Sequence, residues 1–114
     1  QRAKGLKITA SSSILVPKPF TPFQWAPMER PEVVTERIKA IKYAIKSKAV
    51  SYKYHHQDTS LMEAVFARGD RRTCAALIKA FEKGAKFDGW SEYFNMDIWN
   101  EAMAECNIDP EFYV

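Results

Sequence analysis

The chain has 114 residues, of which 46% are hydrophobic and 13% are aromatic. This composition excludes an intrinsically disordered chain, which would be poor in apolar residues and rich in charge. The sequence contains no run near 18 apolar residues and no signal-peptide core, so we expect no membrane span and a cytoplasmic location.

The net charge of +3 hides an uneven distribution along the chain. Residues 1–56 carry 11 Lys and Arg against 3 Asp and Glu, whereas residues 57–114 carry 6 against 11. The basic half is typical either of a nucleic-acid face or of a half that is attracted to its acidic counterpart within one fold. Both interpretations stay open at this point.

The first half predicts a strand, a loop, a helix and a second strand. Residues 7–16 are β-branched or small, which favours a strand covered on both faces. Four prolines within residues 17–27 predict a stiff, extended loop. Residues 31–48 begin with a proline and repeat apolar residues at helical spacing, and residues 50–55 alternate as in a half-exposed strand. We therefore expect a parallel β-α-β unit.

The second half predicts three helices. Ser60 and Glu63 resemble a capping box, and Gly69 would end that first helix at positive φ. Asp70 would cap the second helix, which Gly84 would end. The expected core positions of the second helix follow helical spacing: Cys74, Leu77, Ile78 and Phe81. The last helix is expected from about Met96 to Glu105, so the fold class is α+β.

Metal ligands are scarce in the sequence. Cys74 and Cys106 lack CxxC spacing, and each falls on the apolar stripe of a predicted helix, so we expect two buried free thiols and no metal site. His55 and His56 would point to opposite faces of a strand end and are expected at the surface. No glycine-rich phosphate loop and no catalytic constellation is visible.

The proline-rich loop is the best candidate for a functional segment. Prolines limit the conformations of the loop, so Lys18, Thr21, Gln24 and Trp25 would be displayed with little entropy left to lose on binding. The alternative is a rigid connector whose aromatic residues cover the core.

The second candidate is the segment around Gly69. It contains three arginines, which is more than a helix cap requires: Arg68, Arg71 and Arg72. We expect at least one of these arginines to pair with Asp88, Glu92 or an acidic group outside the chain.

Four blocks of sequence carry a resemblance to a known family: SSSILVPKPFTPFQW (11–25), FARGDRR (66–72), KFDGWSEYFN (86–95) and NIDPEFY (107–113). In this order they resemble the stretch downstream of the catalytic core in radical S-adenosylmethionine (Fe-S oxidoreductase) proteins that usually carry an N-terminal cobalamin-binding domain. The residues expected to form a structural or interface motif are Arg68, Gly69, Asp70, Arg71, Arg72, Asp88, Gly89 and Trp90.

The resemblance implies a longer parent enzyme, and a chain that begins at Gln1 without Met is interpreted as a piece of it. The parent would be an oxidoreductase or methyltransferase with a partial TIM-like barrel and a CxxxCxxC loop. That loop would hold a [4Fe-4S] cluster that binds S-adenosylmethionine, and cobalamin is a possible further cofactor. None of those cysteines is present here, so the fragment itself is expected to hold no cofactor and not to be catalytic alone. Where the family has a His in the third block, this chain has Tyr93, which argues against a proton-transfer role for that position.

The resemblance also implies a domain organisation. Residues 1–114 would form a single module that covers the C-terminal rim of the barrel: a barrel strand and proline-rich loop (1–30), a helix and strand (31–56) and a helical part (57–114). Lys18, Thr21 and Gln24 would then face the substrate end. The expected partner is the remainder of the parent polypeptide.

Two other classes of function remain open. The first is an RNA-binding module that uses the basic half for weak contacts to the backbone, with stacking on Phe20, Trp25, Tyr43, Tyr52 and Tyr54. The second is a docking domain for another protein.

Overall fold

A computed structural model describes residues 5–114 of the chain, and what was expected of the first four residues lies outside this range. The element order is β1 (Ile8–Ser12), α1 (Pro31–Ala44), β2 (Val50–Tyr54), α2 (Gln57–Arg68), α3 (Arg72–Glu82), α4 (Met96–Glu105) and a short 3-10 helix (Pro110–Tyr113). The predicted α+β class, with two strands and a helical second half, is confirmed.

The described chain divides into two compact units. One holds residues up to Leu15 together with Glu29–Gln57, and the other holds Val16–Met28 together with Asp58–Val114. The single module that was expected over residues 1–114 stays a prediction. None of the helices within residues 5–114 combines the length and the apolar character needed to cross a membrane.

The first unit is the β-α-β segment. Strands β1 and β2 pair in parallel, in a register that runs from Ile8 opposite Val50 to Ser12 opposite Tyr54. Side-chain hydroxyls join the strands as well, since Thr9 Oγ1 lies 3.1 Å from Ser51 Oγ. The predicted order and the predicted parallel pairing are therefore confirmed.

Strand β1 differs from its prediction in length and burial. It has five residues rather than the ten expected over 7–16, and Ile8 is exposed. All five residues of β1 are exposed or half-buried, so neither of its faces is fully covered within residues 5–114. Coverage on both faces, as predicted, is therefore wrong for this chain taken by itself.

Helix α1 begins as predicted at Pro31 but ends at Ala44 rather than at Lys48. Residues 45–49 are used instead for the turn into β2. In that turn the backbone N–H of Val50 donates to the carbonyl of Ser47 over 3.1 Å, and the Ser47 hydroxyl accepts from the N–H of Ala49. The strand can pair in parallel with β1 because the chain leaves the helix early.

The core lies in the second unit, where α2, α3, α4 and the C-terminal turn meet. Its buried residues are Met62, Val65, Ala76, Ala80, Trp99, Ala102, Met103, Ile108 and Tyr113. Phe66 packs edge-on against Trp99, with ring centres 5.4 Å apart. Edge-to-face contacts of this kind add to the free energy gained by burying the two rings.

The buried face of α3 is not the predicted one. The structure buries Thr73, Ala76 and Ala80 and leaves exposed the four residues predicted as core. Leu77 is 50% exposed, Ile78 54% and Phe81 62%, and Cys74 is exposed too. Small side chains let helices approach closely, and Ala80 of α3 and Ala102 of α4 are both fully buried. Both faces of α3 have helical spacing, and size alone favours burial of the larger residues, so the prediction from the sequence is wrong.

The helix ends confirm one predicted signal and contradict another. Gly84 has φ of 101° and its N–H donates to the carbonyl of Phe81, while the N–H of Ala85 donates to the carbonyl of Ala80. These two bonds form a Schellman motif, so the predicted end of α3 is confirmed. In contrast, α2 begins at Gln57, and Ser60 is buried inside it, so the predicted capping box is wrong.

Gly69 serves a different purpose from the one predicted. It is not among the residues with positive φ. A Cβ atom placed there would lie 2.5 Å from the carbonyl oxygen of Val65 and 2.5 Å from Cγ2 of Thr73. The joint between α2 and α3 therefore requires glycine because of the close approach between the two helices.

We predict that Gly69→Ala destabilises the chain by about 1–3 kcal/mol, the usual cost of forcing an extra carbon into a well-packed site. The measurement is urea unfolding followed by circular dichroism. Gly89→Ala is the matched control, because a Cβ at Gly89 would meet nothing within 4 Å. Equal unfolding midpoints for the two variants would contradict the close-approach explanation.

Candidate functional site

An open hollow of about 360 Å³ lies in the second unit. The proline-rich loop, the joint between α2 and α3, and the C-terminal turn surround it. We call it the aromatic hollow, and its lining residues are Pro19, Gln24, Trp25, Arg68, Asp70, Phe112 and Tyr113.

The proline-rich loop forms one wall and is folded into turns, so the predicted extended conformation is wrong. The N–H of Gln24 donates to the carbonyl of Thr21 over 3.0 Å, and the Thr21 hydroxyl donates to the carbonyl of Lys18 over 2.6 Å. The Gln24 Oε1 accepts from the N–H of Phe20, which has φ of 62°. These hydrogen bonds can form because each proline fixes only its own φ. The residues between the prolines are free to adopt turn conformations.

Three contacts attach the loop to its own unit. The side chain of Pro17 is fully buried, which anchors the start of the loop. Lys18 pairs with Glu63 of α2. Arg68, at the end of α2, donates from Nη1 to the carbonyl of Ala26 over 3.0 Å. Helix α2 therefore holds both ends of the loop, and Trp25 between them is 88% exposed.

The joint between α2 and α3 contributes an ion pair that the sequence did not indicate. Arg72 binds the Asp70 carboxylate through two nitrogens, with Nη2 to Oδ2 at 2.6 Å and Nε to Oδ1 at 3.1 Å. The backbone N–H of Arg72 also donates to Asp70 Oδ1, but the N-cap residue of α3 is Arg71 rather than the predicted Asp70. Arg72 therefore pairs with Asp70 rather than with Asp88 or Glu92, and the pairing of one of the three arginines with an acidic group outside the chain stays a prediction.

The ion pair shifts the titration of both groups. The guanidinium of Arg72, and then its backbone N–H, lower the pKa of Asp70 from its usual 3.8 to about 2. The same hydrogen bond raises the pKa of Arg72 above its usual value. Asp70 is therefore ionised at any pH near neutrality, and its charge is compensated by Arg72.

The C-terminal turn supplies the remaining wall. Phe112 and Tyr113 meet edge-on with ring centres 5.1 Å apart, and the Arg72 guanidinium lies 5.6 Å and 5.9 Å from the two ring centres. Asp109 accepts from the N–H of Glu111 and so begins this turn. Sequence reasoning missed Phe112 and Tyr113, although their aromatic pair in the block 107–113 was an available signal.

The sequence-derived candidates thus lie in several different places. Gln24, Trp25, Arg68 and Asp70 line the hollow, while Lys18 and Thr21 hold the loop in place. Gly69 and Arg72 shape the joint beside it, and Arg71 is exposed. The candidates of the third block do not line the hollow: Asp88, Gly89 and Trp90.

Asp88 instead has a structural contact with α4. Its Oδ2 accepts from Nε1 of Trp99 over 3.1 Å. Its Oδ1 is buried and has no hydrogen-bond partner within the described residues. Trp90 is exposed. Asp88 therefore holds the indole of a core residue rather than an arginine.

The donor atoms of this chain do not fit an iron-sulfur cluster held by three thiolates. The sequence has two cysteines, and Cys74 is exposed while Cys106 is half-buried, so the prediction that both are buried is wrong. Residues 5–114 contain no group of three or more His, Cys, Asp or Glu side chains placed to hold a metal ion.

Comparisons with protein-family models, with curated proteins and with solved structures gave no match to this chain. The resemblance to radical S-adenosylmethionine proteins therefore rests on the four sequence blocks.

We predict that the ion pair between Asp70 and Arg72 makes stability depend on acid pH. The pKa of Asp70 is lower in the folded chain than in the unfolded chain, so its carboxylate stabilises the folded chain at pH values above the unfolded pKa. This contribution is lost as the pH falls from about 4 to about 2. Urea unfolding at a series of pH values should show a shallower loss of stability in this window for Asp70→Asn and for Arg72→Gln. Glu92→Gln is the control and should keep the original slope; the same slope in all four proteins would contradict the prediction.

Proposed function

We propose that this chain is the C-terminal portion of a radical S-adenosylmethionine iron-sulfur enzyme, where it forms part of the substrate end of the barrel and is not catalytic alone. One observation carries the proposal. Every residue that lines the aromatic hollow belongs to one of three of the four blocks that resemble the family: 11–25, 66–72 and 107–113. These three segments are far apart in sequence, yet they resemble the same family and line the same hollow.

Strand β1 supports the same proposal. It has one neighbour within the described residues, and the flanking residues Leu6 and Leu15 are exposed along with Ile8. An unpaired strand edge invites the addition of another strand. In the parent, the remaining barrel strands would cover that edge, and the proline-rich loop that follows β1 in the chain would lie at the C-terminal rim, where barrel active sites are found.

Under this proposal the cofactor chemistry belongs to the parent. The three cysteines that bind the cluster would lie in the preceding part of the polypeptide, and so would the binding residues for S-adenosylmethionine and for any cobalamin. The contribution of this chain is to display Trp25 and Gln24 on a loop that Arg68 and Lys18 hold, next to a charged joint. Such a wall can orient a substrate and exclude water from it.

An RNA-binding module is the second candidate, since Tyr43 is exposed within the basic half. Two rings in this unit are already in contact with lysines, however. Lys46 Nζ lies 3.6 Å from the ring centre of Tyr43, and Lys42 Nζ lies 4.4 Å from that of Tyr54. Stacking bases there would have to displace these contacts. The exposed face of α3 favours a docking domain as a third candidate.

The test is the polypeptide that precedes this chain in its gene. We expect a CxxxCxxC motif there, and we expect the full protein, purified without oxygen and reconstituted with iron and sulfide, to show the visible absorption of an iron-sulfur cluster. The 114-residue chain treated in the same way should stay colourless, because two cysteines cannot supply three thiolates. Absence of the motif, or a full protein that stays colourless after reconstitution, would refute the proposal.

A further inference from the structure

We propose that the aromatic hollow binds a nucleotide, with its base against the rings of Trp25 and Phe112 and its phosphate at Arg68. This inference concerns a binding property of the chain itself. It stands on the hollow alone and would hold whether or not the chain belongs to a radical S-adenosylmethionine enzyme.

The aromatic walls are the first argument. Trp25 is 88% exposed and Phe112 is 73% exposed, and both border the same hollow. Phe112 contacts the buried Tyr113 edge-on, and although the Arg72 guanidinium lies 5.6 Å from the Phe112 ring centre, most of Phe112 stays open to water. Large rings left open to water gain free energy when a flat ligand covers them, and a base stacks on any aromatic face.

The charge of the walls is the second argument, and it selects an anionic ligand. Arg68 is half-buried and forms no ion pair with any acidic side chain among the described residues. One nitrogen donates to the carbonyl of Ala26, which leaves further N–H donors of the guanidinium for a ligand. The neighbouring carboxylate of Asp70 is already bound by Arg72. A phosphate would therefore meet a positive charge that no acidic residue compensates.

Size is the third argument. A volume of about 360 Å³ lies within the range of small-ligand sites, roughly 300–1,000 Å³. Because the hollow is open to solvent, the nucleotide could be free or could belong to a single strand of RNA. The shared chemistry is a base next to a phosphate, and the experiment separates the two sources.

The experiment is a titration of the ¹⁵N-labelled 114-residue chain followed by NMR, with four probes: 5′-AMP, adenosine, inorganic phosphate and hexa-adenylate. The chain has three tryptophans, whose indole N–H signals report on different places. We expect 5′-AMP to shift the signal of Trp25 in a saturable way, with a dissociation constant of roughly 0.1–1 mM, and to leave that of buried Trp99 unchanged. Adenosine should bind more weakly than 5′-AMP, and phosphate alone more weakly still.

Variants separate the two parts of the site. Trp25→Ala should weaken 5′-AMP binding by roughly tenfold, whereas Trp90→Ala, at another exposed indole, should not change it. Arg68→Gln should reduce 5′-AMP affinity to that of adenosine, and Arg71→Gln is its matched control. Because Arg68 also holds the loop, Arg68→Lys is included; it keeps the charge and should retain most of the preference for 5′-AMP.

Tighter binding of hexa-adenylate than of 5′-AMP assigns the site to nucleotides within RNA, and equal affinity assigns it to free nucleotides; both support the proposal. The absence of a saturable shift of Trp25, unchanged 5′-AMP affinity in Trp25→Ala, or phosphate binding as tight as that of 5′-AMP would each overturn it. None of these results bears on the CxxxCxxC motif, so the two proposals can fail separately.

Discussion

The close approach of α2 and α3 at Gly69 is the constraint on which the second unit depends. With no Cβ between the carbonyl of Val65 and the side chain of Thr73, the two helices meet with only a few residues between them. Arg68 therefore ends one helix and Asp70 precedes the other. Arg68 contacts the proline-rich loop, and Asp70 binds Arg72. A wider joint would separate these groups and, with them, the walls of the hollow.

The packing of α3 against α4 determines which of the two faces of α3 is buried. Ala76 and Ala80 form a narrow face that lets α4 come close, and Lys83 at the end of α3 then reaches both Glu101 and Glu105, at 3.0 Å and 2.8 Å. The larger residues on the other face are left in contact with water. Close packing over small residues thus outweighs the area that Leu77 and Phe81 would bury, as long as the rest of the core already fills the space around Trp99.

Some local signals in the sequence were good guides, whereas the capping box expected at Ser60 and the positive φ expected at Gly69 are not found. Proline at the start of α1, alternation along β2 and glycine at the end of α3 each act on neighbouring residues, and each prediction from them is confirmed. The sequence was a poor guide wherever the structure depends on contacts between segments that are distant in the chain. The buried face of α3 depends on α4, and β1 extends only over the five residues that pair with β2. The candidate site shows the same division: the loop residues were predicted, whereas Phe112 reaches the hollow only through the fold.

The exposed face of α3 has a consequence for how the chain behaves on warming. Association of apolar surfaces in water is driven mainly by entropy near room temperature, so it strengthens as the temperature rises. Solutions of the 114-residue chain should therefore turn cloudy reversibly on gentle heating, below the temperature at which the helices unfold, and should clear on cooling. Sulfate should lower the clouding temperature because it is excluded from protein surfaces.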